Sequence, residues 1–308
     1  MIEPGQHIAC KKIAFIGMGI AGEDEGFEAE GTIGLDLPQH LIGITDNGGA
    51  ATGPGPANAR PQIIFHKAFI IRLAAHFGLT ADTERGGVER LLPDFLAGRI
   101  PALGELIDRI GGEQVRNMGT LGGNIANGSP IGDTPPPLIA LDATLTLRKG
   151  RQRRTILLED FFIAYGRQDR QPGEFVEAVH VPLPAAHEKF AVYKVTKRRD
   201  EDITAVLGAF RLALGDDGTV ASVRIAYGGM AATPKRAPAV EAALVGRPWT
   251  QASVEAAMAA CEADFSPLTD MRATAGYRAL VARNLLLRFF LETTGTPGPL
   301  GVSRYEVA

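Results

Sequence analysis

One stretch of the sequence, residues 114–137, collects residue types that could hold a charged ligand. It reads QVRNMGTLGGNIANGSPIGDTPPP, so small, polar and turn-forming residues fill it. A segment that only joins two elements needs about 4–6 residues. Its glycines Gly119, Gly122 and Gly123 permit positive φ angles and a close approach of the backbone to a ligand. Short polar groups are offered at the same surface by Thr120, Asn124, Asn127, Ser129 and Asp133.

This composition suits a diphosphate, because successive backbone N–H groups can form a concavity that binds an anion. An ordinary glycine-rich surface loop would use the same residue types, and a Gly-Gly-Asn sequence by itself favours that interpretation. The sequence around the loop must therefore decide between the two.

A second glycine motif lies near the start of the chain. Gly17, Gly19 and Gly22 follow a short apolar run, and Asp36 lies near the place of a ribose-binding acid, as in a dinucleotide fingerprint. The acidic residues of 23–31 provide no apolar stripe with which a crossover helix could pack on a sheet. We therefore do not expect a Rossmann unit here.

The long loop resembles the second flavin-binding loop of the FAD module in molybdenum-containing hydroxylases, most closely that of bacterial xanthine dehydrogenase small subunits. The resemblance covers residues 90–295. Further segments follow in the family's order: LIALDATLTL at 138–147, LEDFFIAYG at 158–166, KVTKRRDEDI at 194–203 and AYGGMAATPKR at 226–236.

The resemblance implies an α+β fold. The second half of a vanillyl-alcohol-oxidase/PCMH-like FAD-binding domain would precede a three-stranded antiparallel sheet with helices, like the C-terminal domain of carbon monoxide dehydrogenase flavoproteins. The implied segments are a non-matching N-terminal part at 1–89, an FAD-binding subdomain at 90–185, the flavoprotein C-terminal domain at 190–295 and a tail at 296–308.

Residue patterns predict individual elements of this fold. Apolar residues at helical spacing predict a helix within 100–110, and alternation predicts a strand at 143–148. The last third predicts strands at 190–195, 204–214 and 221–228, with a hairpin turn at 216–218. Helices are expected near 235–246, 250–264 and 273–293. Trp249 is interpreted as a packing residue rather than as one that stacks on a flavin.

The N-terminal third does not contain the family's other flavin loop, a Gly-Gly-Thr-type turn. Residues 1–60 lack an apolar period, and residues 47–60 have the composition of a linker. The segment is either genuinely divergent or the product of a frameshift or wrong start, and we slightly favour the second explanation. We expect much of 1–60 to be poorly packed, because it has little apolar surface to offset its ordering entropy.

The resemblance carries FAD-binding roles onto eight positions. Asp133 would meet a ribose or ribityl hydroxyl, although the residues alone favour a turn-stabilising role. Lys194 would lie near the pyrimidine edge, where a cation stabilises the anionic reduced ring. The apolar positions could equally be simple core, and the charge run 197–202 could be a solvated face or lie beside the flavin. The eight positions are Ile110, Thr120, Gly122, Gly123, Asn124, Asp133, Val176 and Lys194.

Composition excludes several other classes. A net charge of −3 gives no electrostatic case for binding nucleic acid, and no apolar stretch approaches the roughly 20 residues needed to cross a bilayer. Two cysteines, Cys10 and Cys261, cannot hold an iron–sulfur cluster, which normally needs four cysteine ligands. The six histidines lack metal-ligand spacing. Iron–sulfur clusters and molybdopterin are therefore expected only on partner chains.

Cysteine scarcity fits a reducing compartment, so a cytoplasmic location is expected. A basic pair, Lys11 and Lys12, precedes the apolar residues 13–21 and loosely imitates a signal peptide. Glu3 lies upstream and no clear cleavage site follows, which argues against that interpretation.

The predicted function is that of an FAD-binding electron-transfer subunit of a xanthine dehydrogenase-type molybdenum hydroxylase, a flavin-dependent oxidoreductase of purine catabolism. Electrons would pass from iron–sulfur clusters through FAD to NAD. The implied partners are a molybdenum-binding large subunit and an iron–sulfur domain or subunit. Two alternatives stay open: a free-standing flavin subunit of a carbon monoxide dehydrogenase-like hydroxylase, and a non-catalytic remnant with an incomplete flavin site.

Overall fold

The structure is a computed structural model that describes residues 42–45, 62–66 and 98–295. For residues 42–45, 62–66, 117 and 118 only the backbone is described. The described residues all fall in one compact unit, Pro38–Ala308. The glycine motif at 17–22, the linker-like residues 47–60 and the tail 296–308 lie outside the described residues. The expectations for them, and the division of the chain into four segments, stay predictions.

The described residues form an α+β fold, as predicted. The strands are β1 (Ile42–Thr45), β2 (Gln62–His66), β3 (Thr144–Lys149), β4 (Gln152–Leu157), β5 (Phe162–Ala164), β6 (Arg167–Gln168), β7 (Phe175–Pro182), β8 (Lys189–Val195), β9 (Val206–Leu214), β10 (Val220–Gly228) and β11 (Lys235–Arg236). The helices are α1 (Pro101–Asp108), α2 (Glu113–Met118), α3 (Leu121–Ala126), α4 (Pro135–Ala140), α5 (Leu158–Phe161), α6 (Pro238–Leu244), α7 (Gln251–Met258), α8 (Cys261–Asp264) and α9 (Ala275–Thr293).

The first sheet has the strand order β1-β2-β7-β3-β4, and every neighbouring pair is antiparallel. Its β1 lies within the segment 1–60, much of which was expected to be poorly packed. These four residues are paired, because β1 pairs with β2 and β2 pairs with β7, and the expectation for the rest of the segment stays a prediction. Four residues are too short for a periodic pattern to show, which is why the sequence did not indicate this strand.

The second sheet has the order β11-β10-β9-β8 and contains the three strands predicted for the last third. A two-residue strand, β11, adds a fourth at one side. The turn predicted at 216–218 joins β9 to β10, and Gly218 has φ +75° there, a conformation that favours glycine. The helix predicted over 250–264 is present as two, α7 and α8.

Two apolar clusters hold the described residues together. The first joins α1, α3 and α4 to apolar residues of both sheets and includes Ile125, Leu138 and Leu145, all fully buried. The second packs α9 on the second sheet, where Phe210 stacks on Phe289 with ring centroids 5.2 Å apart. Truncating such a buried phenylalanine to alanine costs about 3–5 kcal/mol.

Trp249 belongs to the second cluster, as its interpretation as a packing residue requires. Its ring meets those of Phe289 and Phe290 edge-on. The indole N–H donates to Thr293 Oγ1 at 3.0 Å. This satisfies the polar end of an otherwise buried side chain.

Ion pairs fix the second sheet against α4 and α5. Asp142, two residues after the end of α4, pairs with Arg211 of β9 and with Arg224 of β10, the latter at 2.9 Å. Glu159 of α5 pairs with Arg224 and Arg236, both at 3.4 Å. These contacts set the orientation of the second sheet relative to the glycine-rich segment that precedes α4.

Within the described ranges, we find no helix whose length and apolar character would let it span a membrane. The same residues contain no cluster of three or more His, Cys, Asp and Glu side chains that could hold a metal ion.

Candidate functional site

The first half of the glycine-rich segment 114–137 consists of two short helices, α2 and α3, rather than an open loop. Thr120 is the N-cap of α3, and its Oγ1 accepts a hydrogen bond from the backbone N–H of Gly123 at 2.9 Å. Such a cap stabilises a helix by about 1 kcal/mol. The sequence indicated a loop because glycine is unfavourable inside helices; the cap and the packing of Leu121 and Ile125 in the first cluster offset this cost.

Gly119, Gly122 and Gly123 do not adopt the positive φ that glycine permits. Gly119 has φ −72°, and Gly122 and Gly123 lie inside α3. In this segment the positive value is found at Gly128, with φ +63°. Glycine is needed in α3 for another reason, which is the space available for a side chain.

The space for a Cβ differs between these two positions. A Cβ on Gly122 would make ordinary van der Waals contact, at 3.4 Å, with the Cβ and the backbone oxygen of Val176 in β7. A Cβ on Gly123 would lie 2.7 Å from Thr120 Oγ1, the atom that caps the helix. Glycine at position 123 therefore preserves the cap of α3.

The start of α3 offers a backbone donor at an accessible surface. The N–H groups of Leu121 and Gly122, in the first turn, have no helical carbonyl to which they could donate. Gly122 is half-buried between the exposed Thr120 and Gly123, whereas Leu121 is buried, so the accessible donor is that of Gly122. N–H groups of this kind suit the oxygen atoms of a phosphate or diphosphate, so the residues fit the charged part of FAD.

The second half of the segment is held from both sides. Asn124 Oδ1 accepts from the hydroxyl of Thr134 at 2.6 Å, which ties α3 to the end of the segment. The backbone N–H of Gly229, just after β10, donates to the carbonyl of Pro130 at 2.7 Å. The segment therefore has a fixed course between the two sheets.

Asp133 and Lys194 form a buried ion pair at the end of this segment. Lys194 Nζ lies 2.6 Å from Asp133 Oδ2, and the side chains are 2% and 11% exposed. The ammonium also donates to the carbonyl of Arg109 at 3.0 Å, and the hydroxyl of Thr204 donates to Asp133 Oδ1. We expected the two residues to meet a flavin separately, whereas the structure joins them to each other.

This pair is satisfied by its surroundings. Burying two opposite charges is costly unless their remaining donors and acceptors find partners. The bonds from Thr204 and to Arg109 provide them, and a carboxylate retains further lone pairs for a ligand hydroxyl. Direct contact of Asp133 or Lys194 with a flavin stays a prediction.

Arg109, next to the predicted site residue Ile110, ties three segments together. Its guanidinium donates to the carbonyl of Lys194 at 3.2 Å and to that of Arg199 at 3.3 Å. Sequence reasoning missed Arg109 and Thr204. In the sequence, Arg109 is notable only because it precedes Ile110, and Thr204 only because it closely follows the charge run 197–202. The fold brings both residues to Asp133 and Lys194.

The charge run 197–202 forms an exposed turn over residues 109–112. Glu201 has φ +51° there, and a Cβ on Gly112 would lie 2.8 Å from its Oε1. The backbone N–H of Arg198 donates to Asp202 at 2.7 Å and lowers the pKa of that carboxyl. The run therefore lies near Arg109 and the Lys194 strand; its influence on a flavin stays a prediction.

The two apolar site candidates lie in the first cluster. Val176 is 7% exposed within it, and Ile110 is half-buried against it. Both residues thus have a packing role, and the structure leaves their contact with a flavin as a prediction.

Comparisons with known families divide the matching part of the chain in two. The profile described as the FAD binding domain in molybdopterin dehydrogenase matches residues 88–184. The profile described as the CO dehydrogenase flavoprotein C-terminal domain matches residues 191–293.

Two relatives show what kind of protein contains these parts. The chain is 32% identical over 200 residues to the glyceraldehyde dehydrogenase medium chain of Sulfolobus acidocaldarius, covering 65% of this chain and 70% of the relative. It is 30% identical over 252 residues to the xanthine dehydrogenase of Emericella nidulans, covering 79% of this chain. It spans only 18% of the length of that second relative.

A solved structure agrees with both. The fold matches a carbon monoxide dehydrogenase chain from Hydrogenophaga pseudoflava, solved without the Mo-pyranopterin moiety of the molybdenum cofactor, with a TM-score of 0.63 and 28% identity. The match covers 81% of this chain and 76% of that one. The chain therefore belongs to the family of FAD-binding modules of molybdenum hydroxylases.

Proposed function

We propose that this chain is the FAD-binding electron-transfer subunit of a xanthine dehydrogenase-type molybdenum hydroxylase. The observation that carries the proposal is the connection between two chemically different parts of one segment. The exposed, Thr120-capped start of α3 offers an N–H donor, and the Asn124–Thr134 bond ties it to the buried Asp133–Lys194 pair. A dinucleotide-like cofactor with a charged diphosphate and a redox ring needs both.

In this proposal, different residues of the chain bind different parts of FAD. The N–H group of Gly122 and the short side chains of Thr120 and Asn124 would hold the diphosphate. Gly123 would keep the helix cap in place by donating its N–H to Thr120 Oγ1, and the first sheet supports Gly122 at Val176. When bound, FAD supplies a two-electron carrier between one-electron iron–sulfur clusters and NAD. The charge balance around it is set by this chain's own residues.

Lys194 changes the electrostatic potential at the flavin less than an isolated lysine would. Its ammonium is 2.6 Å from a carboxylate, so much of its field is compensated nearby. What reaches a ligand is the field of an oriented dipole with Lys194 at one end and Asp133 at the other. Buried charges that keep a fixed geometry act without reorganisation when a ligand's charge changes.

The xanthine-type assignment rests on sequence. The sequence of residues 127–133, NGSPIGD, resembles that of xanthine dehydrogenases. The xanthine dehydrogenase of Emericella nidulans matches over 79% of this chain. The partners in this proposal are a molybdenum-binding large subunit and an iron–sulfur domain or subunit in the cytoplasm. They supply the molybdopterin and the clusters.

Anaerobic reoxidation of the flavin tests the acceptor. The full chain, assembled with its partner chains, is reduced with one equivalent of dithionite and mixed with NAD+. A xanthine-type subunit forms NADH as the flavin absorption returns. A flavin that stays reduced in the presence of NAD+ contradicts the proposed acceptor.

A second candidate is the flavin subunit of a carbon monoxide dehydrogenase-like hydroxylase. It is favoured by the match of the fold to a carbon monoxide dehydrogenase chain, with a TM-score of 0.63 and 28% identity. Failure of NAD+ in the reoxidation experiment, with flavin present, supports this candidate. A well-folded chain that takes up no flavin supports a non-catalytic remnant instead.

A further inference from the structure

Arg278 is a buried charge in α9, outside the elements so far assigned to flavin binding. Its side chain is 3% exposed. One guanidinium nitrogen, Nη1, donates to the carbonyl of Gly229 at 3.0 Å and also to the carbonyl of Ala205. The other, Nη2, donates to Asp270 Oδ1 at 2.8 Å.

Backbone hydrogen bonds fix the Asp270 carboxylate where it can accept from that guanidinium. Its carboxylate accepts from the backbone N–H groups of Arg272 at 2.8 Å and Ala273 at 3.1 Å. These bonds and Arg278 keep the pKa of the carboxyl below its usual range, although burial opposes them. A buried arginine requires a paired carboxylate of this kind.

The two carbonyls that Arg278 holds belong to the anchors of the glycine-rich segment. Ala205 directly follows Thr204, whose hydroxyl donates to Asp133. Gly229 donates its own N–H to the carbonyl of Pro130 at 2.7 Å. One guanidinium therefore connects two of the points that hold residues 130–133, and the Lys194–Asp133 pair is a third.

The backbone around these carbonyls is tightly packed. Gly229 has φ +80°, and a Cβ there would lie 2.3 Å from the carbonyl oxygen of Ala205. A Cβ on Gly228 would lie 3.2 Å from Pro136 Cγ and 3.5 Å from the carbonyl oxygen of Pro130. Two carbonyl dipoles directed at one place repel each other, and a shared cationic donor turns this into attraction.

We propose that Arg278 is a positioning residue of the flavin site, acting through Ala205 and Gly229 on Asp133 and Pro130. This inference rests on the proposed flavin-binding function. Its consequence is that a side chain in α9 sets the place of the Asp133 carboxylate, and with it the direction of the Asp133–Lys194 dipole. Loss of the guanidinium changes no residue of the segment, but it removes the hydrogen bonds that hold the carbonyls of Ala205 and Gly229.

The test compares Arg278→Met with Arg283→Met in the full chain assembled with its partners. Arg283 lies on the same helix but pairs with Glu262 at the surface, at 3.4 Å. Three properties are measured: FAD affinity after removal and return of the cofactor, visible circular dichroism of the bound flavin, and its midpoint potential.

We expect Arg278→Met to weaken FAD binding by about tenfold or more, the effect of losing about 1.4 kcal/mol, and to change both the dichroism and the potential. Arg278→Lys, which keeps the charge, should recover part of each change. Arg283→Met should match the parent in all three. A folded Arg278→Met protein with parental affinity, dichroism and potential would overturn the proposal.

A second variant decides the matter if Arg278→Met does not fold. Asp270→Asn keeps the shape of the partner and removes its charge, so it should move dichroism and potential in the same direction by less. Parental values in Asp270→Asn would then overturn the proposal. A parent that takes up no FAD would instead refute the proposed function, and the role of Arg278 with it.

Discussion

Lys194 and Asp133 lie 61 positions apart in the chain and form a buried ion pair with a 2.6 Å separation between Nζ and Oδ2. The pair joins β8 of the second sheet to the glycine-rich segment 114–137. It makes the stability of the fold and the electrostatics of the candidate site depend on the same two side chains.

Replacement of Lys194 by methionine should destabilise the fold. The change leaves the Asp133 carboxylate buried without its counter-charge, which costs about 3–5 kcal/mol. Urea unfolding at neutral pH measures the loss. Lys189→Met is the matched control, because Lys189 is an exposed lysine on the same strand and its loss should change the free energy of unfolding by less than about 0.5 kcal/mol.

The combination of Lys194→Met with Asp133→Asn should recover part of that loss of stability, since it removes the uncompensated charge.

In the Lys194→Met variant alone, the flavin midpoint potential should fall, by on the order of 20 mV if about 1 kcal/mol of stabilisation of the reduced ring is lost. Equal stability of the Lys194→Met and Lys189→Met proteins would show that the buried pair does not form.

Gly123→Val should reduce flavin binding without unfolding the second sheet. A Cβ at Gly123 would lie 2.7 Å from Thr120 Oγ1, so the branched side chain displaces the cap and covers the donor at the start of α3. The ratio of flavin to protein in the purified chain, together with far-UV circular dichroism, measures both effects.

Gly276→Val provides the control for that variant. Gly276 also lies in the first turn of a threonine-capped helix, α9, but has open space around its Cβ position. It should retain the parental flavin content. Full flavin occupancy in Gly123→Val would mean that α3 does not face the cofactor.

How far sequence could predict this molecule depends on the kind of contact. The strands β8, β9 and β10 and the helix α9 follow from local alternation and helical spacing, so they were predicted nearly in place. The helix α3 was missed because glycines lower helix propensity, while its stability comes from the Thr120 cap and from Leu121 and Ile125 in the core.

The site was predicted residue by residue but not as an arrangement. The resemblance selected Asp133 and Lys194, yet their pairing, and the help of Thr204 and Arg109, depend on how β8 and β9 lie against the segment. Such long-range pairings leave no periodic trace in a single sequence. The same holds for Arg278, whose position in a helix predicts only that it is helical.

Acid sensitivity should have an identifiable source in the first sheet. Arg154 donates two hydrogen bonds to Glu174, both at 2.8 Å, and with the N–H of Gln171 lowers the pKa of Glu174 from 4.5 to about 2. The stability that this interaction contributes is present above pH 4.5 and is lost as the pH falls through about 2.

Glu174→Gln should therefore lower the free energy of unfolding at neutral pH by about 1–3 kcal/mol. The difference from the parent should shrink as the pH falls from 4.5 towards 2. Urea titrations at several pH values measure it, with Glu262→Gln, whose side chain is 78% exposed, as control. A difference that stays constant over this range would contradict the assigned pKa.

Binding of FAD by this chain is measured by the cofactor content of the purified protein. The full chain, purified alone or with its partner chains, is examined for oxidised-flavin absorption and then denatured to identify what it releases. We expect a folded protein that releases FAD. A well-folded preparation that carries no flavin, even after reconstitution with FAD in the presence of its partners, would contradict it.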